Sequence, residues 1–192
     1  MKVMKIVFAQ GNPDRKYENT RHNTGFMVLD AIADEQKAFW KDVDKFNART
    51  AELIINDEKV LLVKPQSYYN DTGLVARQFI DYYKLDPSKD ILVIHDELAL
   101  PFGTIRVRGT GSDAGNNGIK SLNTHIGDSY PRIRIGIWND MRDRMDDVDF
   151  VLSNFSLHES KVLRKHVIPH VKDLIDQYVE GSLEASSKSI EE

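Results

Sequence analysis

Ile91-Leu92-Val93-Ile94-His95-Asp96-Glu97 runs through four apolar residues, three of them β-branched, and then changes abruptly to three titratable ones. A short apolar run without polar alternation is the pattern of a strand covered on both faces. The His-Asp-Glu end places polar groups where such a strand leaves the core. In open α/β sheets the carboxyl ends of the strands are where ligands bind. The stretch thus predicts a sheet between helical layers, with a functional edge that carries Asp96.

The flanking sequence extends that frame. Val3 to Ala9 is a second apolar run, ending at Gly11-Asn12-Pro13, and reads as the buried first strand. From Thr24 onward, TGFMVLDAIADEQ puts Phe26, Leu29 and Ala33 at helical spacing. Arg49 to Ile55 and Val60 to Val63 flank Asn56-Asp57-Glu58, a hairpin signal. Asn70 or Asp71 is the expected cap of a helix with Leu74, Phe79 and Tyr82 or Tyr83 on its buried stripe. A strand is expected over Thr104 to Arg108, then a glycine-rich turn, a helix from about Asn117 to His125, and a strand over Arg132 to Ile137. Ser156 and Glu159 have capping-box spacing, and Pro169 predicts a break or kink near Val167 to Pro169. The segment after Gly181, SLEASSKSIEE, lacks apolar periodicity, so residues 182–192 are expected to be a disordered tail. Strands alternating with helices, one hairpin, and no repeat or linker imply an α/β fold. The expectation is a single globular domain over residues 1–181, with a twisted mixed β-sheet flanked by helices.

Composition narrows the function class. The chain has 192 residues, 41% hydrophobic and 29% charged, ordinary for a soluble globular domain. With no cysteine, disulfides and thiolate metal sites are excluded, which suits a reducing compartment. MKVMKIVFAQGNP holds an apolar run too short for a signal peptide, and nothing approaches membrane-spanning length. A cytoplasmic protein without a membrane partner is expected. The net charge of −4 argues against attraction of nucleic acid to the whole surface but leaves room for a local basic face.

The candidate chemistry gathers at the strand ends. Thr20-Arg21-His22-Asn23-Thr24-Gly25-Phe26 places a histidine at the entry to a helix. There it is either a solvated loop residue or a general base, since an imidazole titrates near neutrality. Asp96 is its natural partner, because a carboxylate on one ring nitrogen leaves the other free to accept a proton; the alternative is a turn aspartate. Asn12, Asn70 and Asn117 both donate and accept, suiting an amide, a sugar hydroxyl or a developing oxyanion, although each is also an ordinary turn or cap residue. Tyr68 and Tyr69 follow Lys64-Pro65 and open over the same edge, where rings stack a base or simply pack. The loop GTGSDAG lacks dinucleotide-fold spacing and no P-loop occurs, but amides at the next helix start suit a phosphate. His166 and His170 lie in HVIPH without a zincin glutamate and read as a wet helix face; a metal-dependent amidase or peptidase lacks a ligand set. Arg106, Arg108, Lys120, Arg132 and Arg134 surround the glycine loop. The arginines alternate with apolar residues in TIRVRG and RIRIG, so each pair shares a strand face, either the wet side of the sheet or a phosphate footprint.

Taken in order, QGNPDRKYENTRHNTGF, KPQSYYNDTG, IHDELALPFGTIRVR, GSDAGNNGIKSL and RIRIGI resemble bacterial peptidyl-tRNA hydrolases over roughly Lys5 to Phe155. The resemblance implies a cofactor-free, cytoplasmic, monomeric enzyme with a mixed-sheet α/β fold. Its substrate would be peptidyl-tRNA, free or on a stalled large ribosomal subunit, cleaved at the ester to the 3′ ribose. By motif position it implies His22 as proton acceptor and Asp96 as its partner. Tyr17, Tyr68, Asn70 and Asn117 fall at substrate or tRNA contacts, and Asn12 where acylated and free amino groups are told apart. The chain departs from the usual pattern at Ala9-Gln10-Gly11, Asp14, Tyr69 (usually methionine), Ala114 (glycine), Asn116 (histidine) and Trp138-Asn139. A catalytically silent RNA-binding or scaffold relative of the same fold is the alternative.

Overall fold

The computed structural model describes residues 4–190, and Ile91–Pro101 is a central strand of its sheet. In chain order the strands are β1 (Lys5–Ala9), β2 (Lys41–Val43), β3 (Ala48–Ile55), β4 (Glu58–Pro65), β5 (Ile91–Pro101), β6 (Thr104–Arg108), β7 (Arg132–Trp138) and β8 (Ser186–Ser189). The helices are α1 (Thr24–Glu35), α2 (Thr72–Tyr83), α3 (Pro87–Asp90), α4 (Asn117–Ile126), α5 (Asp147–Val151), α6 (Leu157–Val162) and α7 (Ile168–Glu180). The expected first strand begins at Lys5; its proposed start at Val3 lies outside the described residues.

The strand order is β2-β3-β4-β1-β5-β7-β6-β8. β4, β1, β5 and β7 run parallel, whereas β2, β3, β6 and β8 pair antiparallel toward the two edges. The apolar run of β5 is continuous because both its faces are buried. Leu92 and Ile94 join Val7, Ile133 and Ile135 against α1, α6 and α7. Ile91 and Val93 join Ile6, Phe8 and Val63 against α2 and α4. Parallel strands need crossovers, and these crossovers supply the helices that cover the faces. The β3–β4 hairpin turns at Asn56 and Asp57 with φ of 50° and 62°, values that the primed two-residue turn requires.

Three local expectations are corrected. Leu74 and Tyr82 are more than half exposed, and the buried stripe of α2 is Thr72, Val75, Ala76, Phe79 and Ile80. Thr72 is held inward by its hydroxyl on Gln10 Oε1, which turns Leu74, two residues on, to the outside. Asp71 sits at the cap position but makes no capping bond with its side chain. Pro169 does not end the helix; of the break or kink expected there, the structure shows an irregular turn, a π turn over Leu163–Val167 from which α7 continues at Ile168. The wider turn accommodates the missing N–H and the ring's conflict with the carbonyl four residues back. Lastly, the tail is not disordered over Ser186–Ser189, which pairs with Thr104–Val107 of β6. Its side chains are wet on both faces, so no alternation marks it, while Leu183 and Ile190 pack on the core to either side.

The capping box of Ser156 and Glu159 forms as expected and has a second use. Glu159 receives both terminal nitrogens of Arg21 at 2.8 Å, and Asn139 Nδ2 at 2.7 Å. Arg21 is fully buried, with its guanidinium 4.8 Å from the ring centres of both Phe150 and Phe155. This pair fastens the loop before α1 to the C-terminal helices. Burial raises the Glu159 carboxyl, but the hydrogen bonds from Arg21 and Ser156 outweigh it and hold the group below its ordinary 4.5.

Glu159→Gln keeps the shape and removes the charge, so at neutral pH it should cost about 3 kcal/mol in a denaturation experiment. The depressed carboxyl contributes stability above its unfolded value and loses that contribution as pH falls through its folded value. The gap between wild type and variant should therefore close on acidification. An equal gap at about pH 3 and pH 7 would contradict the assignment.

Candidate active site

β1 and β4 end at one edge, beside the middle of β5, and four chain segments converge there. The first is the turn Arg21–Asn23 leading into α1. Gly25 lets it approach the strand ends: a Cβ there would lie 2.8 Å from the carbonyl oxygens of both Gln10 and Ile94. Arg21 anchors the turn through Glu159. Asn23 clamps it on the other side, its Oδ1 accepting from the Asn12 amide at 2.8 Å and its Nδ2 donating to the Asn12 carbonyl at 2.9 Å. His22 lies between these two fixed neighbours, with 17% of its side chain exposed. The triplet therefore divides its labour: anchor, imidazole, clamp.

His22 Nδ1 is 2.9 Å from Asp96 Oδ2. A carboxylate only accepts, so this bond places the ring hydrogen on Nδ1 and leaves Nε2 with its lone pair. The other Asp96 oxygen, Oδ1, accepts from the Tyr69 hydroxyl at 2.5 Å. The Tyr69 ring stacks on His22 with centroids 3.5 Å apart and planes 10° from parallel. Asn116 Nδ2 donates to the Tyr69 oxygen at 3.1 Å. Burial, then the Asp96 charge, pushes the Tyr69 phenol well above its ordinary value of 10.0, so the hydroxyl remains a donor. The adjacent His95 is different in kind: it is buried, its Nδ1 lies 2.6 Å from the Asp96 carbonyl, and burial lowers it to about 4. It is a neutral core histidine.

Asn12, Tyr17, His22, Tyr68, Asn70, Asp96 and Asn117 all line one cleft of about 540 Å³. The sequence-predicted groups from four separate segments are thus brought together. Asn12 is already half committed, because its Oδ1 accepts from the Tyr69 backbone N–H at 2.8 Å. Its amide nitrogen is the end left for a ligand. Tyr68 is 58% exposed, with its hydroxyl 3.3 Å from Asp14 Oδ2. Asn116 caps α4 by accepting from the Ile119 amide at 3.0 Å, and Asn117 opens that helix. Ala114 takes the left-handed conformation, φ 50°, where glycine is at ease.

The wall formed by Arg142, Asp147, Val148, Val151 and Leu152 carried no sequence signal of function. Arg142 and Asp147 are joined there by two bonds of 2.7 and 3.1 Å. Tyr69 was legible as a ring over this edge and Asn116 as a departure from the family pattern, but nothing in the sequence showed their contact with each other.

The basic residues divide. Cross-strand register puts Arg106 beside Arg134 and Arg108 beside Arg132 on one face. Arg132, however, is only 3% exposed and donates to the carbonyls of Gly111, Ser112 and Asp128 and to Asn123 Oδ1. It holds the glycine loop by its carbonyls, and so is withdrawn from any phosphate. Arg134 is spent on Glu97 at 2.6 and 2.9 Å. Arg106 and Arg108 reach β8, Arg106 Nε lying 3.4 Å from Ser187 Oγ and Arg108 donating to the Ser186 carbonyl at 3.2 Å, yet both stay partly exposed, and Lys120 is exposed.

The family model described as peptidyl-tRNA hydrolase matches residues 6–192. Among curated relatives, the peptidyl-tRNA hydrolase of Fusobacterium nucleatum is 45% identical over 166 residues, covering 83% of this chain and 82% of its own. That of Bacillus subtilis is 41% identical over 189 residues, covering 96% and 93%. The crystal structure of peptidyl-tRNA hydrolase from Acinetobacter baumannii superimposes with a TM-score of 0.83 at 30% identity, over 94% of this chain and 91% of that one. With motifs, sheet and cleft in agreement over nearly its whole length, the chain belongs to the peptidyl-tRNA hydrolase family.

Proposed function

We propose that the chain hydrolyses the ester joining a peptide to the 3′ ribose of tRNA, with His22 as general base and Asp96 as its orienting partner. The observation that carries this reading is the His22 Nδ1–Asp96 Oδ2 bond at the cleft wall, which commits one ring nitrogen and leaves Nε2 for water. Nε2 takes a proton as water adds to the ester carbonyl. The resulting oxyanion lies within a cleft whose amide donors are Asn12, Asn70 and Asn117. Collapse of the intermediate expels the 3′ oxygen, which takes the proton back from the imidazolium. Asp96 stabilises that transient cation. The new carboxyl group gives its remaining proton to solvent, so the products are a free peptide carboxylate and tRNA with its 3′ hydroxyl restored.

Of the five basic residues around the glycine loop, Arg106, Arg108 and Lys120 keep surface to meet tRNA phosphates, a contact that positions without reading sequence. Tyr17 and Tyr68 supply rings at the mouth of the cleft. The same reading has the enzyme working as a cytoplasmic monomer on peptidyl-tRNA that has left the ribosome or is stalled on its large subunit.

Asn12 separates peptidyl from aminoacyl esters. A peptidyl ester presents an amide carbonyl, an acceptor for the free Asn12 amide nitrogen, whereas an aminoacyl ester ends in a donor-only ammonium. The ammonium would lose water and meet another donor, an uncompensated cost of several kcal/mol.

His22→Ala should lower kcat by about 10²- to 10⁴-fold in a peptidyl-tRNA cleavage assay while tRNA affinity holds. A variant with near-wild-type kcat would sink the base assignment. Asn12→Asp keeps an acceptor for the Tyr69 amide but replaces the donor by a charge. Its kcat/KM should fall on N-acylated substrate and rise, relative to that, on unblocked aminoacyl-tRNA. If the ratio of the two stays put in a folded variant, cleft shape rather than Asn12 sets selectivity.

A further inference from the structure

Two of the departures from the family pattern, Tyr69 and Asn116, touch each other, and Tyr69 touches both His22 and Asp96. We propose that Tyr69 is a positioning residue for the reaction, holding Asp96 by its hydroxyl and His22 by its ring, with Asn116 setting the direction of that hydroxyl. The inference rests on the proposed roles of His22 and Asp96.

Tyr69 is held from every side. It is 2% exposed, and its backbone N–H is bound to Asn12. One ring face lies on His22, while the ring packs on α4 where Gly118 makes room for it: a Cβ at Gly118 would lie 2.3 Å from the ring. The methionine usual at this position would fill the space but has no O–H to give Asp96. Among the described residues no other donor is bonded to Asp96 Oδ1, so without the phenol the oxygen is buried and unpaired and the carboxylate is less closely oriented toward the ring. Asn116 adds to the effect. By donating to the phenol oxygen, it occupies the lone pair and polarises the O–H toward Asp96.

The phenol bond also draws charge away from the carboxylate. Without it, more of the Asp96 charge falls on the imidazolium, favouring the protonated ring. This gives the inference a signature that packing alone does not share.

Tyr69→Phe preserves the stack and removes only the hydroxyl. Its kcat should drop about tenfold with KM within about twofold of wild type, and the acid limb of the kcat–pH profile should move up by about 0.5. Asn116→Ser keeps a capping oxygen for α4 and loses the amide donor; it should change kcat and profile in the same direction by less. In the Tyr69→Phe background it should add nothing. Wild-type kcat and profile in Tyr69→Phe would overturn the inference, as would a lower kcat with the acid limb unmoved, since that is a packing defect. Additive effects of the two substitutions would overturn the role given to Asn116. His22→Ala, assayed alongside, separates the layers. If it abolishes turnover while Tyr69→Phe does nothing, only the positioning role falls; if it retains turnover, the proposed base itself is wrong.

Discussion

The 2.9 Å bond between His22 and Asp96 joins the loop before α1 to the middle of β5, across 74 positions of sequence. A bond between two side chains this far apart persists only if each backbone is fixed independently, because ordering both groups costs more entropy than one hydrogen bond returns. The molecule meets that requirement twice. Asp96 stands on a central strand of a sheet covered on both faces. His22 stands between a buried ion pair and a double amide clamp. Rigid surroundings of this kind are what a general base needs, since misplacement by an ångström costs rate steeply.

The parallel centre of the sheet explains why the site is where it is. Strands β4, β1 and β5 point the same way, so Asn12 after β1 and Tyr68 to Asn70 after β4 meet Asp96, which lies on β5 two residues past its last pairing with β1. Asn117 arrives from the start of α4. The far side of the sheet does other work, parallel β7 and antiparallel β6 carrying the arginines and β8 covering the edge of β6.

Much of this was legible in sequence, for identifiable reasons. The apolar run before His95-Asp96 reports burial on both faces, but the strand does not stop at those polar residues as expected: β5 continues to Pro101, with His95, Asp96 and Glu97 buried within it. Periodicity was less informative wherever a residue's partner lay far away in the chain. Arg21 looks like a surface arginine but is fully buried, because Glu159 and two phenylalanines surround it from 129 to 138 positions later. Alternation correctly placed Arg132 and Arg134 on one strand face, yet could not show that the glycine-loop carbonyls and Glu97 already occupy them. β8 was hidden for the opposite reason, because a strand wet on both faces has no hydrophobic pattern. Tyr69 and Asn116 each read as an isolated substitution, and only their contact makes them a pair.

The central claim is that Asp96 holds His22 as the Nδ1–H tautomer, with Nε2 left to accept a proton. Nitrogen-15 chemical shifts of the His22 ring, assigned by comparison with His22→Ala, report the tautomer of the neutral form directly. The account predicts a protonated Nδ1 and a bare Nε2 in the wild type, with the preference weakened in Asp96→Asn. A neutral ring carrying its proton on Nε2, or a tautomer population indifferent to Asp96, would contradict it.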